Sequence, residues 1–463
     1  MVNKSVFTLL IFLLLPLTAI RASEPPQKKL SLPECISIAL ENASSIKKAE
    51  NARHLSGVDL LRSYGNFLPK LTSSANWTPT SVSRSYTVSS DDPSLGTYRT
   101  RTETSTVDFS LTASLNLFNG LSDYAALQST LDRKKASGLS LQRAKEAVAY
   151  DVTQSYYQVL LDKELLGIAS ENQKSASDLL TLTERQFNIG LKSITDLYQQ
   201  QADTSNSKLE VIRAGNRLRR SKLELLRRLR LDPETRITLE PIETSTIANL
   251  SPDIDPEALK TTALASRADL EAEALQTDAA RWDVKNSAGT RLPRLDLLFT
   301  TSTSAIDSYK MTLQGVHYDY PYPSIGKQLD NGIDYALSLN LSWTIFDGFQ
   351  TRYAVQSAKV ARLNRQLDYE DLKENIEIDL QQVTGDYRAA FDQIASARTS
   401  LQAAESAYAG VKRKYELGAS GFVELSASRA ALFNARSSVT QAFYNLALQK
   451  ALLDFTTGTT TIE

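Results

Sequence analysis

The chain carries one pattern twice, so its fold must be built from two like halves. Leu68-Pro69-Lys70-Leu71 returns as Leu292-Pro293-Arg294-Leu295, an offset of 224 positions. Phe118-Asn119-Gly120 returns as Phe346-Asp347-Gly348, and Ala126-Leu127-Gln128-Ser129 as Ala354-Val355-Gln356-Ser357, both at an offset of 228. Arg185, Phe187, Gly190, Asp196 and Leu197 reappear at that second offset as Arg413, Tyr415, Gly418, Glu424 and Leu425. The slip between the two offsets falls in a Ser/Thr-rich, loop-containing stretch. A period this long exceeds that of a solenoid unit. It marks a duplicated half-structure, 23–232 and 256–459, with a linker at 233–255 and a tail at 460–463.

Two proline-free stretches, 120–188 and 348–416, are rich in Ala, Leu, Gln, Glu, Lys and Arg, all strong helix formers. Leu127, Leu131, Val148, Val152, Tyr156 and Val159 keep helical spacing,. Each stretch predicts a helix roughly 100 Å long at about 1.5 Å per residue, more than a globular domain accommodates. Shorter helices are expected at 32–66, 194–231, 256–280 (continuing toward 286) and 421–455. In the last, Leu425, Leu432, Val439, Leu446 and Leu453 recur every seven residues, the seam of a coiled coil. Two short helices stacked end to end match one long helix. The turns are Gly190-Leu191-Lys192-Ser193 and Gly418-Ala419-Ser420-Gly421, with glycine where a helix C-terminus favours it.

Between the first short helix and the long one, the period changes from helical to two. Val107, Phe109, Leu111, Ala113, Leu115 and Leu117 alternate with polar residues, as do Tyr335, Leu337, Leu339, Leu341, Trp343 and Ile345 with mostly polar neighbours. That alternation reads as a half-buried strand. Upstream partners at 71–90 and 295–309 complete hairpins at about 71–118 and 295–346. They are joined by Asp91-Asp92-Pro93 and by a long loop at 315–331. Four strands cannot close a barrel, and alone they leave open edges and an apolar face. Trp77, Tyr86, Tyr335 and Trp343 fit either an interfacial belt or ordinary strand packing. Tyr309, Tyr318, Tyr320 and Tyr322 belong to an external loop that narrows the mouth.

Composition excludes several classes. The net charge is −1, so no nucleic-acid partner is indicated. Cys35 is the only cysteine, and two His with two Met make no soft-metal path. No catalytic constellation and no cofactor or metal spacing is present, so the chain reads as a non-enzyme. Lys4, the apolar run 6–17 and Ala22 read as a signal peptide at 1–22, because the run is too short to span a bilayer,. An exported chain with amphipathic strands and no apolar helix of membrane length meets lipid only as an outer-membrane barrel. Three chains with four strands each give twelve, the smallest closed set with a usable lumen. The run Arg217–Arg230 has two readings, a solvated helix face or a collar against the linker.

With both corners, Leu117-Phe118-Asn119-Gly120 and Ile345-Phe346-Asp347-Gly348, and both turns at matching spacing, the sequence resembles the TolC family of outer-membrane efflux proteins over nearly its whole mature length. Phe187-Asn188-Ile189-Gly190-Leu191-Lys192-Ser193-Ile194-Thr195-Asp196 is similar to that family's first periplasmic tip. Tyr415-Glu416-Leu417-Gly418 through Val423-Glu424-Leu425 is similar to the second. The resemblance implies a mixed α and β membrane protein, a homotrimer in which a twelve-stranded outer-membrane barrel continues into a twelve-helix periplasmic α-barrel of coiled coils. It implies an exit duct for tripartite efflux or type I secretion, working with a periplasmic adaptor and an inner-membrane transporter. It implies a gate at Thr195, Asp196, Tyr415 and Glu424, with Tyr415 tied to Asp196. It also implies adaptor contacts at Gly190, Leu191 and Gly418. Ordinary helix capping and solvated charge explain the same acids without a gate. Two positions depart from the family pattern: Ser420 stands where an Arg reinforces closure, and Ala427 where a second acid lies. The alternative is a structural coiled-coil protein of the envelope, which leaves the strands unexplained.

Overall fold

Strand turns into helix at two corners that use the same backbone device. Gly120 (φ +68°) and Leu121 (φ +63°) are both left-handed, as are Gly348 (φ +65°) and Phe349 (φ +69°). The computed structural model describes residues 28–88, 97–241 and 250–460. The expected signal segment 1–22, the expected Asp91-Asp92-Pro93 connection and residues 461–463 lie outside them.

The first half runs β1 (Lys28–Leu30), α1 (Leu32–Asn42), α2 (Ser44–Gly65), β2 (Lys70–Val88), β3 (Thr97–Asn119), α3 (Ser122–Asn188) and α4 (Ile194–Leu229). After β4 (Ile237–Leu239) the second half repeats it with α5 (Pro256–Ser266), α6 (Ala268–Gly289), β5 (Arg294–Leu313), β6 (Val316–Asp319), α7 (Ile325–Asn331), β7 (Asp334–Ser342), α8 (Gln350–Glu416) and α9 (Phe422–Thr457). Among the described residues no helix is long and apolar enough to cross a membrane. The expected single helices at 32–66 and 256–286 are each broken. Ala43 (ψ 128°) and Arg267 (ψ 114°) leave the helical region at equivalent positions. Ser31, in a capping box with Glu34, starts α1, and Asp255 starts α5,.

The strands form one antiparallel sheet in the order β2-β3-β5-β7. β3 and β5 pair from Asn119↔Arg294 to Thr100↔Leu313, with two irregularities: Leu117 is an extra residue on β3 and Asp307 on β5. The loop at 315–331 is not plain coil. β6 folds back on β5, and α7 follows it. β7 stops at Ser342, short of the expected 346. Because it begins only at Asp334, opposite Ser302, it covers just the lower part of β5, from Arg294 to Ser302. Higher up, the Gln328 amide pairs with the β5 edge as a strand residue would. It accepts from Ile306 N and donates to Ile306 O, both at 2.9 Å.

Two apolar cores sit at the equator. In one, Leu30, Cys35 and Ile36 pack with Val152, Tyr156 and Val159 of α3, Leu225 and Leu229 of α4, and Ile237 and Leu239 of β4. The parallel pair β1–β4 closes it. Tyr156 donates its hydroxyl to the Glu240 carbonyl at 2.7 Å, and burial pushes that hydroxyl well above the ordinary tyrosine range. In the other, Leu270, Ile376, Leu380, Tyr387, Leu446 and Leu453 pack together. An ionic network joins the halves there. Arg143 of α3 reaches Glu146 (3.0 Å), Asp269 (3.5 Å) and the Phe455 carbonyl (3.0 Å), while Arg267 holds Asp269 (2.6 Å). Among the described residues, Arg227 and Arg228 of the basic run on α4 find their carboxylates on helices rather than on the linker. Both bond Glu224, and Arg228 also bonds Asp151 of α3.

Candidate functional site

Helix α3 packs on α4 over one half of its length and on α2 and α6 over the other, while α8 packs on α9 and α6. The far ends of the two coiled pairs, α3–α4 and α8–α9, are the sequence-expected tips. Both end alike. Gly190 (φ +81°) donates to the Phe187 carbonyl and Leu191 to Gln186; Gly418 (φ +76°) donates to Tyr415 and Ala419 to Lys414. A left-handed residue at this position favours glycine, since a Cβ there costs about 1–2 kcal/mol.

The expected gate residues sit on these ends, each with local contacts within the chain. Asp196 accepts from the backbone (3.2 Å) and hydroxyl (2.9 Å) of Ser193, completing the capping box that starts α4. Thr195 is exposed beside it. Tyr415 is buried with Phe422 and Leu425, and Lys192 lies 4.3 Å from the centre of its ring. No hydrogen bond joins Tyr415 to Asp196 in the single chain. Instead the cation over the ring links the first tip to the second. Glu424 is exposed and accepts from Ser420 at 2.6 Å. The serine at the departing position thus holds the acid by a neutral hydrogen bond.

Large apolar side chains crown the tips. Leu191 is 70% exposed and Leu417 78%, and Ile189 and Val423 are also exposed.

Sequence reading missed a buried ionic link between the two pairs. Arg429 of α9 is 3% exposed and bonds Asp203 of α4, whose side chain is 23% exposed. Ser426 also donates to Asp203 (3.4 Å), and Gln200 donates to both Asp203 (3.4 Å) and the Ala176 carbonyl (2.9 Å). Two Arg429 nitrogens, Nε and Nη1, are buried without a partner among the described residues. A signal was present: Arg429 lies four residues after Leu425 and three before Leu432, a seam position where a charge is out of pattern. The seam of α4 also changes along its length. Toward the tip it buries one leucine, Leu197, with Gln200, Ser207 and Ala214; toward the equator it buries Ser221 with three leucines, Leu225, Leu226 and Leu229. Each buried leucine contributes about 1.5–3 kcal/mol, so the tip half is the less firmly packed.

A family model described as outer membrane efflux protein matches residues 35–229 and 259–459. The chain belongs to the outer membrane efflux protein family. Its relatives include the outer membrane protein TolC of Vibrio cholerae, 21% identical over 354 residues, which span 75% of this chain and 77% of the relative. The alkaline protease secretion protein AprF of Pseudomonas aeruginosa is 25% identical over 356 residues, covering 75% and 70%. Among solved structures, the outer-membrane channel OprN superposes with a TM-score of 0.76 at 18% identity, covering 93% of this chain and 90% of that one. As a member of this family the chain is an outer-membrane exit duct with a periplasmic extension and a TolC-like fold of sheet and long helices. The apolar parity of β3 and β7 then faces lipid. The opposite parity carries hydrogen-bonded pairs such as Ser74–Ser110 (2.7 Å), Thr112–Thr300 (3.3 Å) and Asn116–Asp296 (3.1 Å), and faces the lumen.

Proposed function

We propose that three copies of the chain close into one tube, and that this tube carries substrates from an inner-membrane transporter and a periplasmic adaptor to the outside. One observation carries the closure. The contacts joining the first half to the second have equivalents that end on open edges. Within the chain β3 pairs with β5 and α3 packs on α6; β2 and β7 are sheet edges. Ser129 donates to Asp283 at 2.7 Å. The repeat places Ser357 and Asp59 as their counterparts, and Ser357 is exposed. Gly120 lies so close to Gly289 that a Cβ on it would collide with the Gly289 carbonyl, whereas equivalent Gly348 and Gly65 have open space. Leu55, Leu61, Tyr353, Val360 and Leu367 expose apolar faces on α2 and α8. A neighbouring copy completes every one of these contacts.

The test is cross-linking. Asp59→Cys with Ser357→Cys, treated with a short bis-maleimide, should give covalent trimers. Ser129→Cys with Asp283→Cys should give linked monomers only. Absence of any interchain product in outer-membrane fractions would refute the closure.

At the tips, we infer that Asp196, Thr195 and Glu424 ring the constriction, and that Tyr415 and Lys192 hold the two pairs together. Gly190, Leu191 and Gly418, with exposed Leu417, would meet the adaptor. The exposed apolar crown supports that contact.

A further inference from the structure

Above the apolar band, the outward face of the β2–β3 hairpin turns basic while the lumen face stays neutral. From Leu117 to Val107 the outward residues of β3 are apolar. That is ten residues at about 3.4 Å with a tilt of about 40°, so the band is roughly 26 Å tall, near the thickness expected of an outer-membrane barrel. On the same parity, further toward the outside, come Glu103, Arg101 and Arg99. Their direct partners on β2 are Val82, Arg84 and Tyr86. The lumen parity at this level is Thr100, Thr102 and Thr104 opposite Ser85, Ser83 and Ser81. Loops merely exposed to water would carry charge on both faces.

Arg84 and Arg101 stand directly opposite each other, and like charges so placed destabilise a sheet. Glu103 bonds Arg101 at 2.5 Å, and it is flanked on β5 by Lys310, which itself opposes Asp319. Arg84 and Arg99 have no carboxylate among the described residues. Two opposed guanidinium groups aimed outward fit the phosphate geometry that arginine bonds in a bidentate manner. Their height narrows the ligand. Arg101 lies six residues above Val107, roughly 16 Å by the same rise and tilt. A phospholipid headgroup layer is only about 5–8 Å deep.

We propose that Arg84, Arg99 and Arg101 bind the phosphate groups of a large-headed anionic glycolipid in the outer leaflet, with Tyr86 packing beside its sugars. The inference rests on the exit-duct reading, which sets the apolar parity against lipid. Each arginine near an anionic headgroup strengthens attraction about fivefold, so three give on the order of a hundredfold. The probe is lipopolysaccharide, intact or enzymatically dephosphorylated, added to purified detergent-solubilised protein and read by native mass spectrometry. Wild type should retain the intact lipid. The triple variant Arg84→Gln, Arg99→Gln, Arg101→Gln should lose at least tenfold of it, while the corresponding triple Lys variant stays within about fivefold. Phosphatidylglycerol should be retained far less than lipopolysaccharide. Equal retention by the Gln variant, of the dephosphorylated lipid, or of phosphatidylglycerol would each overturn the proposal. If the Gln variant does not assemble, the two lipid arms on wild type decide alone. Failure of the duct reading is distinguishable, because wild type would then conduct no current in planar bilayers whatever lipid it held.

Discussion

Replacing Asp203 by alanine strips the buried Arg429 guanidinium of its carboxylate, and the structure fixes which partner's loss costs more. Arg429 is 3% exposed and already has two unpartnered nitrogens. Left without Asp203 it is a buried, uncompensated charge, a loss of about 3–5 kcal/mol. Arg429→Met is milder. Asp203 then keeps donors from Gln200 and Ser426, and its side chain is 23% exposed. That variant should lose about 1–2 kcal/mol. Combining the two removes both charges and should restore most of the loss, giving a coupling of at least about 2 kcal/mol.

The pair ties α4 to α9, so its loss should favour separation of the two coiled pairs at the tip. A change of 3 kcal/mol is more than a hundredfold in the closed-to-open ratio, at about 1.4 kcal/mol per tenfold. Single-channel recording of purified protein in planar bilayers measures this directly. The expected order of open probability is Asp203→Ala, then Arg429→Met, then the double variant near wild type. If the double variant is as open as Asp203→Ala, the two residues are uncoupled and the reasoning is wrong.

Leu339→Arg on the lipid-facing parity should cost roughly 2–4 kcal/mol of barrel stability, while Ser338→Arg, one residue away on the lumen parity, should change conductance and leave folding intact; heat-modifiability on gels separates the two. Glu424→Ala should weaken block by trivalent cations applied from the periplasmic side, and unchanged block constants would remove Glu424 from the constriction. Burial raises the Asp269 carboxyl, but the hydrogen bond from Arg267 and the charges of Arg143 and Arg267 outweigh it and hold it below the ordinary range. A carboxyl lowered in the folded state contributes stability in full above its unfolded pKa, about 3.9, and the contribution fades as pH falls through the lower folded value. Thermal unfolding should therefore be steeper in pH below about 4 for wild type than for Asp269→Asn.

Features set by local pattern were legible in the sequence. The alternation in β3, the glycines at the tips and corners, and the proline-free helices each depend on neighbours within one element. Features set by distant partners were not. β1 and β4 are three residues each and find one another across the whole first half. The breaks at Ala43 and Arg267 carry no glycine or proline, and Arg267 is held there by Asp269 and the Thr456 carbonyl. β7 ends early because nothing on its far side pairs with it in one chain. The contact of Lys192 with the Tyr415 ring joins the two tips across different helix pairs, and nothing in either turn's own sequence points to it. Arg429 was overlooked because its partner lies on another helix of the other half.

The repeat also states where the assembly is weakest. Within the chain, Asp283 takes a hydrogen bond from Ser129 and a charged bond from Arg133 of the same helix. In the proposed seam between copies, Asp59 faces Ser357, but the counterpart of Arg133 is Ala361. Arg62, 3.6 Å from Asp59 on its own helix, adds nothing across the seam. The copy-to-copy seam therefore has the neutral half of the contact and lacks the ionic half. Ala361→Arg should supply it. Arg133 and Asp283 are half and one-third exposed, so the gain is that of a surface pair, about 0.2–1 kcal/mol at each of three seams, reduced where Arg62 competes. The temperature at which trimers fall to monomers in detergent should rise, and the rise should vanish in an Asp59→Asn background. A rise that persists without Asp59 would mean that Ala361 faces something other than the repeat predicts.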